Sequence, residues 1–135
     1  GYIQRASHLA EAGKHEIALV NFEQAIKVAS DKATPWTSRA NYWLQQGDFA
    51  KAIADATKAI ETEFSHPALS IRGDAYLQQG DFDKAIADFT AAKRLDPEVA
   101  QAYYQRALQR KQQGDEAGSQ SDYETALQLD PQIGQ

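Results

Sequence analysis

Four arginines, Arg5, Arg39, Arg72 and Arg106, are each followed sixteen residues later by Asn21, Asp55, Asp88 and Asp122. A guanidinium fork and a carboxylate meet through two parallel hydrogen bonds, so an arginine on one helix and an acid on the next can tie the two together. Three such pairs in register, with an amide in the fourth place, read as a contact built into a repeating unit: Arg39 with Asp55, Arg72 with Asp88, Arg106 with Asp122. The competing reading, a row of arginines gripping an acidic ligand, needs the same side chains to be free of their acids. Loss of one partner of a largely buried pair costs about 3 kcal/mol, and of a wet pair under about 1 kcal/mol.

No other constellation points to chemistry. His8, His15 and His66 fall in a first helix, just past a turn and at a helix start, without the spacing of a metal site. Ser7, Ser38 and Ser70 lie in helical stretches and lack the strand-to-helix elbow that exposes a hydrolase nucleophile. Acidic residues are plentiful, but no pair is set apart for acid-base work. The turn glycines stand singly, so there is no phosphate loop or dinucleotide fingerprint. The chain has no cysteine, which removes disulfides, thiolate metal sites and cysteine nucleophiles while leaving the compartment open, with the cytoplasm only weakly favoured. These readings predict a protein that is not an enzyme and needs no cofactor or metal. The formal charge of −5 argues against nucleic acid or an anionic membrane surface as the main partner, because both attract a basic face. No stretch approaches the roughly 20 apolar residues of a membrane span.

The elements that would position the arginine–acid pairs follow from the glycines. Gly13, Gly47, Gly80 and Gly114 fall in one column at spacings of 34, 33 and 34 residues, a period that marks stacked repeats. About a dozen residues of helical periodicity flank each glycine on either side, so the unit is helix, tight turn, helix. The clearest copy is 78–97, with its glycine turn, amphipathic helix and closing Asp96-Pro97. The first unit starts near Tyr2, turns at Gly13 and continues from about His15 to Ala29. In the second, Thr34 is expected to cap a helix with Pro35 in its first turn, running to about Gln46, followed by Phe49 to about Thr62. The third opens after Ser65-His66-Pro67, and the fourth runs from Val99 to Asp130-Pro131. Each turn glycine is expected in the left-handed conformation. The prediction is one domain over 1–135, with repeats at about 1–32, 33–65, 66–99 and 100–133.

With these slots in register, the chain resembles the tetratricopeptide repeat family over almost its whole length. The first helices read Tyr2, Arg5-Ala6 and Leu9; Trp36, Arg39-Ala40 and Trp43; Leu69, Arg72-Gly73 and Tyr76; Tyr103, Arg106-Ala107 and Arg110. The second helices read Ala18, Phe22 and Ala25; Ala52, Ala56 and Ala59; Ala85, Phe89 and Ala92; Ser119, Tyr123 and Ala126. Ala56 stands where an aromatic is usual, so the second repeat is expected either to have a lighter core or to borrow Trp36 and Trp43 to fill it. Phe64 holds the place of Pro97 and Pro131 in a connection one residue short. Ser119-Gln120 and Arg110 replace apolar pairs in the fourth repeat and read as a polar end cap. The chain lacks methionine and opens at Gly1-Tyr2 in helical pattern, which reads as an excised piece with an uncapped first repeat.

The resemblance implies an all-α, right-handed solenoid of four repeats, about eight antiparallel helices, whose first helices line a concave groove for an extended or short helical peptide. In this chain that groove would present Ser38, Asn41, Gln45, Ser70, Asp74, Gln78, Gln101, Tyr104 and Gln105, rich in amides and hydroxyls, with Tyr104 as aromatic anchor. Members that bind acidic chaperone tails use a clamp of lysines, asparagines and an arginine; here only Asn41 fits, and the clamp is absent. The expected function is a non-catalytic scaffold that binds a protein or peptide at roughly micromolar affinity. The alternative is self-association within a larger assembly, as a homodimer through the apolar first repeat around Tyr2 and Ile3.

Overall fold

The computed structural model describes residues 1–135 as α1 (Tyr2–Glu11), α2 (His15–Val28), α3 (Ala33–Gln46), α4 (Phe49–Thr62), α5 (His66–Gln79), α6 (Phe82–Ala91), α7 (Pro97–Gln112) and α8 (Glu116–Leu129). Gly13, Gly47, Gly80 and Gly114 have φ between 79° and 84°, the region that L side chains avoid. At the third turn Gly80 N–H donates to Leu77 O and Asp81 N–H to Tyr76 O, both at 3.0 Å, which satisfies carbonyls that the ending helix leaves over. The next residue then starts the following helix: the carboxylates of Asp48, Asp81 and Asp115 accept from the N–H groups of Lys51, Lys84 and Gly118. A Gly-Asp dipeptide is thus stop and start in one.

Helix starts between repeats use other devices. Ser65 and Asp96 cap α5 and α7, each with a proline in the first turn. Thr34 does not cap α3, which begins one residue earlier at Ala33 and has no cap from its own segment. Instead Glu63, beyond the end of α4, accepts the Ala33 N–H at 2.6 Å, so the helix is capped across thirty residues of sequence. The short connection at Phe64 is a three-residue loop with the Phe64 ring exposed, edge-on to His66.

The largest departure from the expected pattern is α6, which ends at Ala91, well before Pro97. Lys93 takes φ 55°, and the same pair of bonds closes the helix: Lys93 N–H to Thr90 O and Arg94 N–H to Phe89 O. A lysine in this conformation is uncommon and unfavourable, so the early stop is sustained by what Arg94 then reaches.

The result is an all-α solenoid in which successive helices pack antiparallel. The odd-numbered helices also touch one another, α1 on α3 and α3 on α5, whereas the even-numbered ones have no comparable packing. Odd helices therefore crowd together into an inner wall and even helices fan out behind them. At α7 the wall opens, because α7 packs on α6 and α8 and not closely on α5.

Alanine makes this approach feasible: Ala6, Ala18, Ala40, Ala52, Ala56, Ala59, Ala68 and Ala85 are all fully buried. Phe22 and Phe89 are the large side chains sealed inside. Trp36 covers the alanine cluster of Ala33, Ala59 and Ala68, while Trp43 turns away to the cluster of Phe22 and Tyr42. Of the residues expected to form a polar end cap, Gln120 is exposed and donates to Glu124, but the other two are not outward. Arg110 folds back to Asp122, and Ser119 Oγ donates to Ala107 O at 2.8 Å, so both point inward, while Leu108 and Tyr123 stay exposed. The final residues put Ile133 onto Ala100 and Ala126.

Two glycines separate backbone strain from packing. A Cβ on Gly80 would meet nothing, so Gly80→Ala should cost about 1 kcal/mol through φ alone. A Cβ on Gly73 would stand 2.5 Å from Phe89 Cε1, and an overpacking cost of ~1–3 kcal/mol should exceed the ~1 kcal/mol that alanine gains in a helix. Thermal unfolding should show both variants melting lower, with Phe89→Leu rescuing only Gly73→Ala. A Gly73→Ala protein as stable as its parent would show that the ring yields.

Candidate functional site

The three arginine–acid pairs are bidentate forks. Arg39 Nε and Nη2 donate to Asp55 at 2.6 and 2.9 Å, Arg72 to Asp88 at 2.8 and 2.9 Å, and Arg106 to Asp122 at 2.9 and 2.8 Å. The acid side chains are 9, 8 and 4% exposed. Trp43 Nε1 and Arg110 Nη1, which hold equivalent places in their repeats, add a further donor at 3.0 Å to Asp55 and Asp122. Hydrogen bonding to its acid is the main reason each guanidinium of Arg39, Arg72 and Arg106 holds its proton above the usual range. Forks committed in this way are not free to line a ligand site.

The first repeat has no such fork. Asn21 is buried but donates to Ile17 O at 2.9 Å in its own helix, and Arg5 lies exposed over the Tyr2 ring. An amide has one acceptor oxygen and no charge, so it cannot hold the fork as a carboxylate does.

On the inner wall, Ser38, Asn41 and Gln45 line a hollow of about 180 Å³ with Ser7, Glu11 and Tyr42. Gln45 also lines the larger cleft that opens where α7 leaves α5, about 580 Å³, together with Leu44, Phe49, Asp74, Leu77, Gln78, Glu98 and Gln101. The two hollows share Gln45, and their linings together reach from α1 to α7. Ser70 lines neither and accepts from Arg94. Tyr104 does not join them: it lines a separate hollow of about 250 Å³ with Leu108 and Tyr123, and the tail at Gly134 lies against its ring. Gln105, half-buried, lines none of these hollows. Gln101 and Tyr104 are three residues apart, so they diverge by about 60° around the helix, enough to turn Tyr104 toward α8.

The residue that sequence reasoning missed is Arg94. From the loop after α6, its Nη1 donates to Asp74 Oδ1 at 2.8 Å and Ser70 Oγ at 2.9 Å, its Nε to Asp96 and its Nη2 to Glu98, while the guanidinium lies 4.7 Å from the Phe89 ring centre. Its spacing to Glu98 was visible in the sequence, but the reach to Asp74 depends on α6 stopping early. Burial is the first cause that pushes the Asp74 carboxyl up to about 6; neighbouring Glu98 pushes the same way and Arg94 opposes them. Elsewhere, His15 Nδ1 meets Tyr42 Oη at 3.0 Å and His66 Nδ1 donates to Ala92 O at 3.0 Å. No group of three or more His, Asp or Glu side chains is placed to hold a metal ion.

Two measurements test these electrostatics. Asp88→Ala leaves Arg72 half-buried without its acid and should lower unfolding free energy by about 3 kcal/mol in urea titration, with an unchanged midpoint counting against the pair. Asp74 carries the opposite sign. Because its folded value, about 6, lies above the ordinary 3.8, its contribution to stability is full below the ordinary value and is lost as pH rises through about 6. A carboxyl ¹³C titration should read a midpoint near the raised value, and Asp74→Asn should flatten stability over that window.

Residues 3–66 and 100–133 match the tetratricopeptide repeat, and residues 73–114 match the TPR repeat. No curated protein matches the chain. Among solved structures the MamA protein superposes with a TM-score of 0.74 at 20% identity, over 98% of this chain and 73% of its own. Pseudomonas aeruginosa PilF gives 0.65 at 20% identity over 96% of this chain and 60% of its own. YrrB, described as a TPR protein with an unusual peptide-binding site, gives 0.55 at 16% identity over 98% and 86%. At such identities the likeness is one of fold, and it agrees with helix pairs that turn on a left-handed glycine every 33 or 34 residues. By its repeats and its fold alike, the chain belongs to the tetratricopeptide repeat family.

Proposed function

We propose that this chain is a non-catalytic scaffold that holds a peptide segment of a protein partner along a path from α1 to α7. Tetratricopeptide repeats serve in general as protein–protein interaction scaffolds. The observation that carries the finer reading is the state of four amides. Asn41, Gln45, Gln78 and Gln101 line adjoining hollows, are exposed, and make no side-chain hydrogen bond within the chain. Each offers a carbonyl acceptor and an NH₂ donor, the pair of functions that an extended peptide backbone requires. Ser38 adds a hydroxyl to the same wall, and the forks behind it tie α3 to α4 and α5 to α6. Few charges project from it, which is consistent with roughly micromolar affinity.

A second reading, self-association, has its own observation. Tyr2, Ile17, Val20 and Val28 are exposed on the first repeat, and Tyr2, Ile3, Ala25 and Val28 line an apolar hollow of about 530 Å³. It predicts a molecular mass by light scattering that rises with concentration and returns to the monomer in Val28→Glu. The groove reading predicts a monomer.

The groove is tested by selecting nonapeptides that bind the chain and measuring their affinity for Asn41→Ala/Gln78→Ala. The double variant should bind about tenfold more weakly, with circular dichroism unchanged, and Tyr104→Ala should bind like the parent. Equal affinity of the double variant and the parent would remove the groove from the account.

A further inference from the structure

We infer that the segment held in this groove is basic, and that the cleft between α3, α5 and α7 takes a lysine or arginine side chain from it. The inference rests on the groove reading and specifies its ligand.

Charge complementarity is the first argument. The ionisable side chains lining the two hollows are Glu11, Asp74 and Glu98, with Tyr42 as a buried phenol, and no lysine or arginine lines either. The arginines Arg39, Arg72 and Arg106, which come from the wall's own helices α3, α5 and α7, are held in their forks. A ligand bearing carboxylates or phosphates would meet like charge with no lysine or arginine on the lining to answer it, and the chain's formal charge of −5 steers cations toward it from a distance.

The second argument is that the one cation behind the cleft is overcommitted. Arg94 divides its donors among Asp74, Asp96 and Glu98, three carboxylates on a single guanidinium. Asp74 Oδ2 and Glu98 Oε1 accept from no N–H group of the chain, although both residues line the cleft. These two oxygens offer an ammonium or guanidinium the partners it needs. Leu44, Phe49 and Leu77 supply an apolar wall for the methylene stem of such a side chain, and Gln78 and Gln101 line the same cleft. The raised Asp74 value comes first from burial, with Glu98 adding to it and Arg94 opposing. A ligand cation favours the ionised form, so by reciprocity its affinity should rise with pH through about 6. The titratable groups that face Asp74 are Arg94 from the loop and Glu98 from α7; α3 and α4 present only Leu44, Gln45, Gly47 and Phe49 to the cleft.

The test is an array of immobilised nonapeptides of balanced composition, probed with the whole chain and with Asp74→Asn/Glu98→Gln. Binders should be enriched in lysine and arginine, should be weakened about tenfold by the double variant, and should weaken with added salt and on acidification from pH 7.5 to 5. Replacing the lysines of a binder with glutamine should bring the parent down to the affinity of the double variant. Binders without basic enrichment, or basic binders indifferent to the double variant, would overturn the inference. If those binders were still lost on Asn41→Ala/Gln78→Ala, the groove itself would stand. An array with no binders of any charge would overturn both.

Discussion

Reversing a helix onto itself within two or three residues calls for a positive φ, and here four glycines supply it at nearly equal intervals. Everything else depends on that constraint. Because each reversal is immediate, consecutive helices lie antiparallel and in contact. Because the interval is constant, all the odd-numbered helices fall on one side and all the even-numbered ones on the other. Alanine at the contact positions then lets α1, α3 and α5 approach until they touch. The inner wall, and hence any groove, follows from the spacing of residues that never reach it.

The forks act on this frame in two ways. Each locks the two helices of a repeat by a pair of charge-assisted bonds with the acid shielded from solvent, where screening is weak. Each also withdraws an arginine from the surface. The inner wall is left with amides, hydroxyls and carboxylates, and its electrostatic character is a by-product of how the repeats are fastened. The first repeat, where Asn21 replaces the acid and bonds its own helix, has no such fastening.

The joint between the third and fourth repeats obeys a different rule. Lys93 supplies a left-handed turn without being glycine, α6 stops early, and Arg94 falls into the space between α5 and α7. Its bonds to Ser70 and Asp74 on one side and to Asp96 and Glu98 on the other replace the helix-to-helix contact that holds the other odd-numbered neighbours together. The same wedge that joins these repeats also keeps the cleft open and places two carboxylates at its edge.

Local signals in the amino-acid sequence were sufficient for the helices, their glycine turns, the alanine contacts and the three forks, because each repeats at a fixed interval and each repetition is an independent vote for the same geometry. Helix ends followed where the stopping device was local, as at Gly47 and Gly80, whereas α5 and α7 start at His66 and Pro97, before the positions expected, because Ser65 and Asp96 cap them. Only the tertiary structure could decide that Glu63 rather than Thr34 caps α3, that Arg110 and Ser119 turn inward, that Tyr104 faces α8, and that Arg94 reaches Asp74. Each of these joins residues that are distant in sequence or chooses among directions around a helix. No interval along the chain encodes such a choice, because it is made by whichever neighbour the packed helices bring within reach.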